Sequence, residues 1–393
     1  MNWTALVPQP VPFARQLQTD GLILFGAGVA MQVVFFLLMV RGRLAGRIQE
    51  FISRRVRLAK ARTPLTLTAY LVLYEILMAP VSFADYLVLH HFGLAVQSPA
   101  RWAADLGKGF MVELIVLVPC LLLLGWAMRR WPRGWWVAAG VCFGLAGALM
   151  IYVTPVVVDP LFHTFRPLQA GALRTDILQL TSRAHIHVNG VYVAGFSATT
   201  TEGNAYVTGL GSSKRVVIWD TLLKSYTPDE MQSIVAHELG HYALHHILIG
   251  LLLTTLGTFL LLFFGSLLIR RGVKQGWIRK PGDPESLIPL AALMVAANLV
   301  GMPVTNAISR TIESQADHFS LELTRRPDWF IQSMQHLSRQ DASVPFPDPA
   351  IEVVFYTHPS ISERIHSAVE FATAEKIPMD YEALARDARR QGG

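Results

Sequence analysis

Six stretches of this chain run for about 20 residues with almost no charge, and this pattern constrains the fold more than any other feature. Inside hydrocarbon every backbone N–H and C=O has to be satisfied within its own segment, so an uncharged run of this length reads as a membrane-spanning helix. Residues 21–40, 135–158, 247–269 and 286–308 are the clearest runs. Residues 65–89 contain Glu75 and Asp85, and residues 111–128 contain Glu113 near their start. Such carboxylates have to face a bundle interior or sit in water at span ends, and the latter is expected for Asp85 and Glu113. The first run is longer than a signal-peptide core, and its charges follow rather than precede it, so it is expected to be retained.

Composition agrees. Only 16% of residues are charged, against about 25% in a typical soluble protein, and 52% are apolar, which excludes a single soluble globule. The net charge of +6 would ordinarily raise nucleic acid as a partner. Here, however, the basic residues flank apolar runs instead of gathering on a soluble module, so no nucleic acid is expected. The two cysteines, Cys120 and Cys142, lie inside apolar runs. Any metal must therefore be held by histidines and carboxylates.

The pattern divides the chain into an N-terminal membrane domain of four spans (1–158), a soluble segment (159–246), a two-span hairpin (247–308) and a second soluble segment (309–393). The first soluble segment reads as a helix near 170–183 followed by β-rich runs at 188–194, 204–210 and 215–219. The second reads as helices near 306–324, 328–339 and 361–374, with a Pro-rich loop at 344–349.

Residues 227–246 read T-P-D-E-M-Q-S-I-V-A-H-E-L-G-H-Y-A-L-H-H. Thr227 as N-cap, Pro228 at the first helical position and Glu230 three residues on form a capping-box signature. On that helix His237 and His241 are four residues apart, so both imidazoles leave one face and can share one ion. Glu238, beside the first histidine, is placed as a general base for a water that zinc makes acidic. A catalytic zinc needs a third protein ligand, and Glu313 in S-R-T-I-E-S-Q-A-D is the best candidate. Two intervening spans return the chain to the same side of the membrane. Asp317, one turn beyond Glu313, is placed to fix a ligand histidine's tautomer. His245 and His246, at the start of the next span, read as structural, and His163, His185 and His187 have no ligand spacing.

In several ordered blocks the chain resembles the integral-membrane CAAX prenyl proteases (type I), zinc metallopeptidases of the gluzincin type. These blocks are V-D-P-L-F-H-T-F-R-P-L from Val158, N-A-Y-V-T-G-L from Asn204, R-V-V-I-W-D-T-L-L from Arg215, H-E-L-G-H, S-R-x-x-E-x-x-A-D and T-H-P-S-I-S-E-R from Thr357. The resemblance implies a multi-pass α-helical membrane protein with a small α+β gluzincin-like domain built around the H-E-x-x-H helix. It further implies one zinc ion held by His237, His241 and Glu313, with Glu238 as base and His358 stabilising the oxyanion. Asn204 and Ala205 match an edge strand along which the family's substrate backbone lies. Arg364 matches a motif arginine and is expected on the substrate side.

The resemblance implies a peptide or protein substrate at the lipid bilayer, including a prenylated C-terminus. Two other readings are a quality-control metalloprotease with no lipid requirement and a non-enzymatic receptor or transporter with a vestigial zinc fold. The intact set of four site residues argues against the vestigial version.

The three loops on one side of the spans, 41–63, 129–134 and 270–285, hold eight, three and five Lys or Arg. The opposite segments hold three: Arg15, Arg101 and Lys108. The positive-inside rule places the rich loops in the cytoplasm and the zinc site outside it. The family's seven-span pattern implies a cytosolic site instead, and six spans are read here.

Overall fold

The computed structural model describes residues 2–41, 43–209 and 214–391. Leu210, the last residue of one expected β-rich run, and Gly393, the end of the last expected segment, lie outside these.

The N-terminal part contains α1 (Ala14–Val40), α2 (Leu44–Arg55), α3 (Ala59–His91), α4 (Pro99–Arg130) and α5 (Trp135–Val153). All but α2 are long and apolar enough to cross a membrane. Their apolar side chains point outward; Ile115 is 69% exposed and Leu145 67%. In water that surface would be costly, and in lipid it is the solvated face.

α2 is not among the expected elements. Its apolar residues form a stripe, not a run: Leu44, Ala45 and Ile48 pack against Phe35, Met39 and Tyr70. Arg47, Arg54 and Arg55 face outward.

The soluble part begins with β1 (Phe165–Pro167), α6 (Ala172–Arg183), β2 (Gly190–Ala194), β3 (Ala205–Thr208) and β4 (Arg215–Trp219). The sheet order is β1-β2-β4-β3. β2 and β4 are parallel, while β3 pairs antiparallel with β4 through Ala205 and Ile218. β3 is therefore an edge strand. Next come α7 (Asp220–Ser225) and α8 (Pro228–Ala243). Ile177, Leu180, Val216, Ile218, Val235 and Leu239 close one core between the sheet, α6 and α8. Leu239 is fully buried. A side chain of this kind contributes about 1.5–3 kcal/mol and pins the helix face opposite the two histidines.

The second half comprises α9 (His246–Lys274), α10 (Pro284–Thr324), α11 (Pro327–Gln340), α12 (Pro349–Phe355), α13 (Ile361–Ala374) and α14 (Tyr381–Gln391). α9 and α10 are the last two of the six candidate spans. A second core joins Phe330 and Ile331 of α11 to Ile365 and Ala368 of α13, with Leu6 from the N-terminal segment.

One expectation is corrected here. The sequence suggests a break near residue 308, with a new helix from 306, but α10 is one helix of 41 residues that runs through Pro289 and Pro303. At 1.5 Å per residue it is about 60 Å long. A proline removes one backbone hydrogen bond without ending a helix whose neighbours hold it. A single rod thus leads from the bilayer to Glu313.

Candidate metal centre and active site

α8 starts as its sequence dictates. The Thr227 side chain accepts the Glu230 N–H, the Glu230 side chain accepts the Thr227 N–H, and Pro228 occupies the first turn. This fixes the register of His237 and His241, whose rings meet edge to face with centroids 4.8 Å apart.

α10 approaches α8 closely because Gly240 stands between the two histidines. A β-carbon there would lie 3.2 Å from the Ala316 Cα and 3.1 Å from the Phe319 Cβ. The buried Ser320 hydroxyl donates to the Ser233 carbonyl at 2.8 Å and ties the helices one turn away. This close packing brings Glu313 onto the histidines.

His237, His241 and Glu313 form a group able to hold a metal ion. Glu313 Oε2 lies 3.1 Å from His237 Nε2 and 3.5 Å from His241 Nε2. The two Nε2 atoms are 3.1 Å apart. A tetrahedral ion with bonds of about 2.0–2.1 Å requires ligand atoms roughly 3.3 Å apart, and the three separations straddle that value. Glu313 Oε2 is buried and has no hydrogen-bond partner among the described residues. These residues therefore fit a zinc-type ion on both geometry and donor chemistry.

Both imidazoles are oriented from behind. His237 donates from Nδ1 to Asp317 Oδ1 at 2.8 Å. Arg364 forks onto the same carboxylate, from Nε to Oδ2 at 2.8 Å and from Nη2 to Oδ1 at 2.6 Å. His241 is held by His246, Nδ1 to Nδ1 at 3.0 Å, and His246 Nε2 donates to Gln315 Oε1 at 3.1 Å. Because Gln315 takes the His246 Nε2 proton, a neutral His246 accepts from His241 Nδ1. Each ligand histidine thus carries its proton on Nδ1 and turns the Nε2 lone pair inward.

The electrostatics favour a cation at this point. Burial alone would lower the His237 pKa, but the Asp317 and Glu313 carboxylates beside it outweigh that and push it up to about 9. Glu238 lines the groove in front of the cluster. Burial raises its pKa, while His237 and His241 pull the other way. A raised carboxylate is a better proton acceptor near neutral pH.

His358 comes from the turn before α13. Its Nε2 lies 3.2 Å from Glu313 Oε2, its side chain is 54% exposed, and it borders the same groove as Glu238. Asn204 lines that groove, and Ala205 next to it begins the edge strand. Arg364 borders the same groove. It is 6% exposed and its guanidinium is spent on Asp317, so it holds the carboxylate that holds His237.

The sequence reading missed the part of His246. Leu244 ends α8, and His245 adopts a left-handed backbone at φ 58°, which reverses the chain and folds His246 back on His241. The only sequence signal is a further histidine five residues after His241.

Fold and site together define a multi-pass membrane metallopeptidase. Residues 167–372 match peptidase family M48, and residues 25–164 match the CAAX prenyl protease N-terminal domain of five membrane helices. The chain belongs to peptidase family M48. It is 30% identical over 369 residues to the uncharacterized metalloprotease YhfN of Bacillus subtilis, covering 92% of this chain and 86% of that protein. It is 26% identical to CAAX prenyl protease 1 of Saccharomyces cerevisiae, covering 76% of this chain and 69% of that one. The crystal structure of S. mikatae Ste24p superposes with a TM-score of 0.80 at 22% identity, covering 90% of this chain and 87% of that one, and so shares the fold.

For His358→Ala we expect kcat to fall about a hundredfold or more with metal content unchanged, as for loss of an oxyanion donor. A rise in KM alone would make it a binding residue.

Proposed function

We propose that this chain is a zinc endopeptidase that cleaves peptide segments of membrane-associated proteins. The observation that carries this reading is the convergence of two Nε2 lone pairs and the unpaired Glu313 Oε2, with Glu238 beside them. Zinc held by His237, His241 and Glu313 would polarise the scissile carbonyl and acidify water. Glu238 takes the proton of the attacking water and delivers it to the leaving amine. His358 donates to the oxyanion as the carbonyl carbon becomes tetrahedral. The substrate backbone adds to the sheet edge at Asn204 and Ala205. Asp317, Arg364 and His246 hold the ligand imidazoles. In this reading 1–158 and 247–308 form the membrane part, and 159–246 with 309–393 form the peptidase, joined by α10.

The yeast relative's name points to prenylated substrates. The test is one peptide in prenylated and plain forms, offered to the purified protein with and without chelator. Chelator-sensitive cleavage with the prenylated form favoured is expected. Equal rates would support the quality-control reading instead.

We place the site outside the cytoplasm on the charge bias. The three basic loops share one face: Arg129 donates to the Gly282 carbonyl, Arg270 to the Arg133 carbonyl at 2.8 Å, and Gly46 lies against Glu285. Alkaline phosphatase fused after Gly393 should be active and the same reporter within 272–282 inactive. The opposite pattern refutes the assignment.

A further inference from the structure

The groove in front of the metal cluster opens into a cavity of about 460 Å³, and part of its lining has no task in the proposed reaction. His237, Glu238 and His358 border it, so a side chain entering it belongs to a residue next to the scissile bond. Ile234 from α8, Met334 and Leu337 from α11, and Val344 give it apolar walls. Polar residues interrupt them, among them Ser333, Ser343 and Thr357 and two that matter here: Ser233, one turn before His237, and Asp341, the residue that caps the C-terminal end of α11.

Neither group is satisfied. Ser233 Oγ and Asp341 Oδ1 are both buried without a hydrogen-bond partner among the described residues. Ser233 is 1% exposed. Two orphaned oxygens on residues that border one cavity call for an explanation, because buried polar atoms in native proteins nearly always find partners. Asp341 also sits at the end of a helix where exposed carbonyls already give partial negative charge. Burial, with Glu202 adding, pushes its pKa up to about 7. A cation arriving in the cavity would give the Asp341 carboxylate the partner it lacks. A leucine or phenylalanine would leave it unpaired, and a glutamate would be repelled.

We propose that this cavity receives a substrate side chain adjacent to the scissile bond and that Asp341 selects one with an apolar stem and a basic tip, lysine or arginine. The methylene stem lies along Ile234, Met334 and Leu337, and the charged end reaches Asp341. Asp341 is a specificity residue, and the inference rests on the peptidase reading above.

The test uses the full-length purified protein and otherwise identical peptides that carry lysine, norleucine or glutamate at each position flanking the cleaved bond. At one position lysine should exceed norleucine by about tenfold or more in kcat/KM, since a site built for a polar group rejects an analogue lacking it. Asp341→Asn should bring that ratio close to one. Asp341→Glu should keep the preference. Binding gives a readout independent of turnover: Glu238→Gln should bind the lysine peptide more tightly than the norleucine peptide, and adding Asp341→Asn should remove the difference. Absence of a basic preference at every position, or one that survives Asp341→Asn, overturns the inference alone. Absence of cleavage of every peptide contradicts the peptidase reading and the inference with it.

Discussion

Glu238→Gln is expected to abolish peptide cleavage while leaving the metal in place. Glu238 follows His237 on α8 and lines the groove, but it is not one of the three residues whose ligand atoms converge. The amide keeps the size of the side chain and cannot accept a proton. General-base catalysis contributes about 10²- to 10⁴-fold, and this base also delivers the proton to the leaving amine, so turnover should drop to the lower limit of detection. Elemental analysis should still find one ion per chain. A variant with near-normal turnover would remove Glu238 from the mechanism.

Glu313→Ala should lose metal and activity together. With Glu313 gone, two histidine nitrogens remain, fewer than the three protein ligands a catalytic zinc requires. The effect should not stop at the ion. Glu313 is also one of the two carboxylates against His237, so its loss weakens the pull toward positive charge that the pocket exerts. After dialysis the variant should carry little or no zinc, whereas Glu238→Gln keeps it. Full occupancy in Glu313→Ala would mean that the third ligand lies elsewhere.

The placement of these side chains was legible in the sequence because helix geometry is local. A spacing of four residues puts His237 and His241 on one face of α8, and the same spacing puts Glu313 and Asp317 on one face of α10. The spans were legible because hydrocarbon imposes a length on any backbone crossing it. The amphipathic α2 was not, since its charge is mixed with its apolar stripe and never leaves an uncharged run. The continuity of α10 was hidden by the change of composition after Ile308 and by Pro303, neither of which interrupts the backbone.

What the sequence withheld at the site is set by packing between distant segments. Arg364 reaches Asp317 across 47 positions because α13 lies beside α10. Nothing in S-E-R shows where that guanidinium ends. His246 depends on a left-handed residue at His245, a backbone choice that the side chain does not dictate. Gly240 could have been noticed: a glycine between two ligand histidines marks the place where another helix comes close.

We propose that a zinc ion held by His237, His241 and Glu313 acts with Glu238 to cleave peptides. The most direct measurement is zinc content and peptide cleavage on one preparation of the detergent-purified protein, before chelation, after it, and after zinc is restored. The account predicts one zinc per chain, loss of cleavage in step with loss of the ion, and recovery of both on readdition. Cleavage that persists once the metal is removed, or a fully loaded protein that cleaves no peptide, would contradict it.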